Sequence, residues 1–342
     1  MIKTPPQLPV QAARRTRPRA WALSLERPAS GAVAVWLRPL LLAVLFGSGA
    51  LARAAVAPRM LLLDAAVVGA EVFAVGERGT ILHSADSGQT WDRAEVPAGT
   101  VATLTGLSFA ADGRHGWAVG HDALILATAD GGKTWQKQWQ GDNLEASFLD
   151  VCAIDARRAI AIGAYGFCRV TADGGKTWTA QPVIDSDLHL NRISRGPTGT
   201  LYIAGEHGTL LRSRDDGATW HRIDSPYDGS FYGVLPLGPK LLLAHGLRGR
   251  VYRSTDDGES WTPVALDRPM LIAAALPAKA GRLVLAGQAR ALYLSADGGV
   301  SFTPWASDFS TAVAELVEAP DGSVLAFGEA GASRLELPPA GK

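Results

Sequence analysis

Cysteine is nearly absent: the chain holds two, Cys152 and Cys168, among 342 residues. That excludes a disulfide-dense secreted scaffold and any cysteine-rich zinc or iron–sulfur module. Seven histidines are dispersed with no H-x-H or H-E-x-x-H spacing, which removes the common zinc-hydrolase signatures. No G-x-S-x-G, P-loop or dinucleotide fingerprint is present. No segment sustains a 3.6-residue apolar period long enough for a major helix. Lysine is scarce as well, 7 residues against 26 arginines, a usage typical of GC-rich genomes.

The formal charge of zero conceals an asymmetry. Residues 1–54 hold eight of the 33 basic residues and one of the 33 acids, so 55–342 keep 25 bases against 32 acids, a net −7. An acidic body argues against nucleic acid or an anionic membrane surface as the main partner. The run LLLAVLFGSGAL (40–51) has the length of a signal-peptide apolar region and is short for a bilayer span. Arg38 precedes it and Ala52-Arg53-Ala54 offers an A-x-A cleavage pattern, so residues 1–54 read as a signal peptide with an extended, Pro/Arg-rich leading region. An uncleaved anchor is the alternative. The expected mature protein, 55–342, has no integral membrane span. Its expected location is exported, periplasmic or on an equivalent lumenal side, soluble or peripherally bound to the membrane.

What is present is a repeat. SADSGQTW (84–91), TADGGKTW (128–135), TADGGKTW (171–178), SRDDGATW (213–220), STDDGESW (254–261) and SADGGVSF (295–302) share the form [S/T]-x-D-x-G-x-[T/S]-[W/F]. Their closing aromatics, Trp91 to Phe302, recur every 41–44 residues. Upstream of each lies a second element, FAVGERGTILHS, WAVGHDALILAT, IAIGAYGFCRVT, YIAGEHGTLLRS, LAHGLRGRVYRS and VLAGQARALYLS, with a seventh copy at 324–337. Apolar runs of four to seven residues alternating with Gly-centred turns are the strand–turn–strand signature. One unit reads as strands at 104–110, 116–120, 124–129 and 134–139. Four strands per unit and seven units predict an all-β, seven-bladed β-propeller filling 55–342 as a single domain. Residues 55–62 are expected to supply the missing outer strand of the last blade and so close the ring. Cys152 and Cys168 then fall on strands one and three of one blade, roughly 9–10 Å apart and beyond disulfide reach, so two buried free thiols are expected.

The aspartates of the six boxes, Asp86, Asp130, Asp173, Asp215, Asp256 and Asp297, suit a tight turn. The carboxylate can accept backbone N–H groups, the Ser/Thr hydroxyl adds another bond, and the ring of the closing Trp buries roughly 150–250 Å². A structural role follows for all six. One carboxylate per turn, or two at Asp215-Asp216 and Asp256-Asp257, is too few for calcium.

Boxes at this spacing, each preceded by a G-x-x-G turn, resemble the BNR/Asp-box propellers, and among them the photosystem II stability/assembly factor family. The resemblance covers about 58–337. It implies a non-enzymatic, monomeric scaffold without cofactor or metal that binds a membrane-protein complex or its subunits during assembly. A sialidase-like carbohydrate hydrolase on the same propeller is the rival reading. It would need an arginine triad, a Tyr–Glu pair and an acid/base Asp, and no F/Y-R-I-P motif stands near the first blade.

Loops on one face of a rigid scaffold are the usual seat of recognition. The Gly-flanked turns present Arg78, Asp122, Tyr165, His207, Arg248, Arg250 and Arg290, and Arg192 and Arg195 flank the innermost strand of blade four. These nine form the candidate partner-binding face, since Arg and Tyr are favoured interface anchors. The connectors between blades add Asp142, Glu145, Asp185, Asp187, Asp228, Asp267, Arg268 and Asp308.

Overall fold

A computed structural model describes residues 59–142, 146–306 and 309–338. The expected signal segment, Glu145 and Asp308 lie outside the described residues. Seven antiparallel sheets follow one another along the chain, six of four strands and a last one of three. In blade one, Leu62–Val68 is innermost, followed outwards by Glu71–Gly76, Thr80–Ser84 and Asp92–Arg93. Blade two repeats the order with Leu104–Phe109, Gly116–Gly120, Leu124–Thr128 and Gln136–Gln140, and blade three with Phe148–Ala153, Ala159–Gly163, Cys168–Thr171 and Thr179–Ala180. The seven-bladed propeller expected from the repeat is therefore the architecture.

The second strand of each blade explains why short apolar runs become strands here. Gly116–Gly120, Ala159–Gly163, Leu201–Gly205, Leu242–Gly246 and Val324–Gly328 are buried along their whole length. Such a strand has a neighbouring blade on each face, so it needs no polar alternation, unlike a sheet with one wet side. Seven hydrophobic clusters fill the interfaces between successive blades. One of them joins Val317, Leu325 and Phe327 of blade seven to Leu62, Val72 and Leu82 of blade one, so the ring closes through packing.

That closure differs from the expected strap. Residues 55–58 lie outside the described residues. Leu62 opens the innermost strand of blade one, where it pairs with Gly76. Glu77 donates its backbone N–H to Leu61 and Met60 packs into the closing cluster. The apolar run 60–63 is thus drawn to blade one by its own burial. Among the described residues, Gly331–Leu335 is the outermost strand of blade seven. The cysteines behave as expected: Cys152 and Cys168 are buried and free, on the first and third strands of blade three.

Candidate functional site

The six boxes share one hydrogen-bond pattern. In TADGGKTW (128–135), the Thr128 hydroxyl donates to Asp130 Oδ1 at 2.8 Å and accepts the Gly132 N–H at 2.9 Å. Asp130 then accepts the Thr134 N–H at 3.0 Å and the Thr134 hydroxyl at 2.6 Å. The same bonds recur around Asp86, Asp173, Asp215, Asp256 and Asp297. Both carboxylate oxygens are engaged inside the turn. The Thr134 side-chain and backbone bonds hold the Asp130 carboxyl down to about 2, and the equivalent bonds do the same at Asp173, Asp215, Asp256 and Asp297.

On the opposite face, the Gly-flanked turns are equally regular. In GERG the chain leaves Gly76, runs through Glu77, and turns at Arg78 with φ 55° and ψ 39° and at Gly79 with φ 63°; the Thr80 N–H returns to the Glu77 carbonyl. Asp122, Tyr165, His207, Arg248 and Arg290 likewise occupy left-handed backbone, φ 48–62°. A bond to the entrance of its own blade ties down each turn, and in blades one to four a second bond reaches the connector to the next blade. Glu77 N–H reaches Leu61 O at the entrance of its own blade, and Gly79 N–H reaches Ala102 O on the connector to the next blade. Equivalent pairs are Ala164 to Ser147 with Gly166 to Leu188, and Glu206 to His189 with Gly208 to Gly229. A Cβ on Gly76 or Gly120 would overlap the carbonyl oxygen of Leu61 or Thr103, which is why the first glycine of the motif is needed. The turn backbone is scaffold; the side chains it throws outwards are free to vary. Arg78, Tyr165, His207, Arg248, Arg250 and Arg290 are exposed and Asp122 is half-buried. Arg250 also lies 5.9 Å from the ring centroid of Tyr227.

Arg192 is elsewhere. The innermost strands carry a register irregularity near their entrances, and the residues after it are Asp64, Gly106, Asp150, Arg192, Gly233, Ala274 and Glu315, one per blade. Across the central channel the Arg192 guanidinium meets Glu315, Asp64 at 3.4 Å and Asp150 at 3.5 Å. The three acids are buried, whereas 31% of the Arg192 side chain stays accessible. Each acid also caps backbone: Asp64 accepts the Leu107 N–H of blade two at 2.6 Å, Asp150 the Ile193 N–H of blade four at 2.9 Å, and Glu315 the Leu316 N–H at 2.8 Å. Burial outweighs Arg192 and pushes the Asp150 carboxyl up to about 7, with Asp64 adding to the rise. Burial likewise raises Asp64 despite Arg192. His245 stands beside this tier, buried, its ring over Gly233 and its Nδ1 bonded to Ile272 O at 3.0 Å. Burial lowers its imidazole to about 4. Arg192 divides the channel into a mouth of about 330 Å³ walled by Leu63, Leu149, Tyr232 and Ala314, and a chamber of about 370 Å³ on the box side. Arg195 is at the box-side end of its strand. It donates to Ile154 O at 2.8 Å and approaches Asp216 at 3.6 Å.

The family model of the photosynthesis system II assembly factor YCF48 matches residues 55–202 and again 138–335. The chain belongs to this family. Among solved structures it is similar to YCF48 bound to a D1 peptide, at 20% identity and TM-score 0.67, over 82% of this chain and 94% of that one. YCF48 from Cyanidioschyzon merolae matches at 17% identity and TM-score 0.67, over 83% and 98%. The WD40 propeller domain of Doa1 follows at 10% identity and TM-score 0.63, over 80% and 92%. No curated protein matches in sequence. The structural likenesses speak to fold.

For this YCF48-family chain, the structure brings Arg78, Asp122, Tyr165, His207, Arg248, Arg250 and Arg290 to one face and separates Arg192 and Arg195 from them. Asp64, Asp150 and Glu315 went unrecognised in the sequence. Their signal was an acidic residue at the same strand position in three units, legible only once the strand registers are known. Among the described residues, no three His, Cys, Asp or Glu side chains are grouped to hold a metal. No described helix is long and apolar enough to cross a membrane.

Proposed function

We propose that the protein is a non-enzymatic, exported scaffold that binds subunits of a membrane-protein complex through the face carrying the Gly-flanked turns, and so assists assembly or stability of that complex. The observation that carries this reading is the face itself. A ring of turns welded to their blades holds Arg78, Tyr165, His207, Arg248, Arg250 and Arg290 exposed on a backbone that does not have to reorganise. Preorganised Arg and Tyr anchors are what protein recognition uses. Family membership supports the same reading, as does the relative of like fold that holds a D1 peptide. The carboxylates nearest to a hydrolase pair, Asp64, Asp150 and Glu315, are engaged by Arg192 and by backbone N–H groups, which favours binding over sugar hydrolysis.

The test is affinity capture from detergent-solubilised membranes of the source cell. Wild-type protein should recover a defined membrane complex, and Arg248→Glu with Arg250→Glu should lose it while unfolding at an unchanged temperature. Recovery of no membrane protein by the wild type would overturn the proposal. Export follows from the apolar run 40–51 and the A-R-A pattern behind it. Cell fractionation checks it, the expected product being a periplasmic form that begins near residue 55.

A further inference from the structure

Blade three breaks the repeat at a buried position. On the third strand, the residue two places beyond the turn's closing pair faces the preceding blade. There blades one, two, four, five and six carry Leu82, Leu126, Leu211, Tyr252 and Tyr293, every one of them buried. Blade three carries Arg169, paired with Ala161 and Ala180. Its guanidinium lies against two adjoining aromatic rings, 5.0 Å from the Trp139 centroid and 5.4 Å from that of Phe167, the two centroids being 6.1 Å apart. Its Nε–H is buried and has no hydrogen-bond partner among the described residues.

The neighbouring blade is exceptional in the same place. The outer strand of blade two, Gln136–Gln140, is five residues long, while the outer strands of the other four-stranded blades have two or three. The extra length delivers Trp139. Phe148 then stacks on Phe167 at 4.8 Å and meets Trp139 edge-on at 5.7 Å, which fixes the two rings that adjoin the guanidinium. A cavity of about 680 Å³ opens here on the turn-bearing face, walled by Trp139, Phe167, Arg169, Ala164 and the exposed Tyr165, with Asp142 at its edge.

Arg169 puts a charge where five other blades place a buried Leu or Tyr. Leaving one of its N–H groups buried and unpaired is unfavourable by itself. The two adjoining rings support the guanidinium, and the side chain lines the cavity where an acceptor can meet it, an arrangement that Arg suits and Lys does not. We infer that this pocket between blades two and three is an anchoring site for a carboxylate carried next to apolar side chains on a polypeptide, with Arg169 taking the carboxylate and Trp139, Phe167 and Tyr165 the apolar part. The inference rests on the protein-binding reading above and names the chemistry that one part of the face selects. A glutamate or aspartate side chain and a chain-terminal carboxylate share that chemistry.

Titration calorimetry of the full chain with three probes tests it: acetyl-Leu-Phe with a free terminal carboxylate, acetyl-Leu-Phe-Glu amide, and the neutral acetyl-Leu-Phe-Gln amide. At least one acidic probe should saturate below about 1 mM. The neutral probe should bind about tenfold more weakly, the scale of one charge-assisted hydrogen bond. The tighter of the two acidic probes identifies the source of the carboxylate. Arg169→Leu restores the residue used by blades one, two and four, so it should fold with an unchanged or higher Tm and still lose about tenfold in affinity for the acidic probe. The inference falls if the neutral probe binds as well as the acidic ones, if Arg169→Leu binds like the wild type, or if no probe saturates. Membrane capture separates it from the scaffold reading. Equal capture by wild type and Arg169→Leu with no probe bound removes the pocket alone, and probe binding by a wild type that captures nothing removes the scaffold reading alone.

Discussion

At the scale of single residues, two glycines that look alike in sequence carry different physical demands. Gly120 has no unusual φ, yet a Cβ there would overlap the Thr103 carbonyl, to which the His121 N–H is also bonded. Gly298, in the last box, has φ +71° and open space around its missing side chain. Gly120→Ala should therefore destabilise by about 3 kcal/mol, because a strand must move. Gly298→Ala should cost about 1 kcal/mol, the strain of a left-handed alanine. Urea unfolding of the two variants checks the ranking; equal losses would refute it. Box chemistry was legible because every bond runs between residues at most four apart, so spacing alone predicted that Asp130 would accept from its own turn. The need for Gly120 was not legible in the same way. Its partner is the Thr103 carbonyl, just before the blade's innermost strand, and no local pattern names it.

At the scale of the hairpin, the closing aromatics of the boxes are not equivalent. Trp135 is buried and its indole N–H donates to Gly132 O at 3.0 Å within the turn. Trp220 is half-buried, and its indole nitrogen has no partner among the described residues. Trp135→Phe should lower stability by about 1–2 kcal/mol, from the lost hydrogen bond and the smaller ring. Trp220→Phe removes an unsatisfied donor and should stay within about 0.5 kcal/mol of wild type. Chemical denaturation of both variants measures the difference, and a larger loss at Trp220 would contradict the account. Strand number, turn position and blade count were readable because each blade repeats one pattern. Departures from it were harder to read. The lengthened outer strand of blade two depends on Trp139 meeting blade three, and the closure of blade seven depends on Phe327 packing against Trp91 and blade one.

At the scale of the whole ring, Arg192 of blade four ties together blades one, three and seven through Asp64, Asp150 and Glu315. Arg192→Ala would leave three buried carboxylates without their cation and should destabilise the propeller by about 3–5 kcal/mol. A candidate partner residue by sequence is thus a strut by structure, since only the closed ring shows that the four positions face one another. The same tier sets a pH dependence whose sign can be worked out. The Asp150 carboxyl is raised to about 7 by burial, so its proton stabilises the fold fully below the ordinary Asp value and the effect is lost as pH rises through about 7. His245, lowered to about 4 by burial, acts in the other direction: its contribution is full above about 6.5 and is lost as pH falls through about 4. The box aspartates near 2 are ionised in both the folded and the unfolded chain between pH 6.5 and 8 and contribute no slope there. Between pH 6.5 and 8, then, Asp150 governs, with Asp64 shifted in the same direction. Stability should fall as pH rises over that interval, by up to about 1.4 kcal/mol per pH unit for each proton released. Melting temperatures in matched buffers at pH 6.5, 7.2 and 8 should decline for the wild type and decline less for Asp150→Asn, which cannot release that proton. A wild-type profile that is flat or rising over this interval, or an Asp150→Asn profile that declines as steeply, would remove the channel carboxylates as the source of the pH dependence.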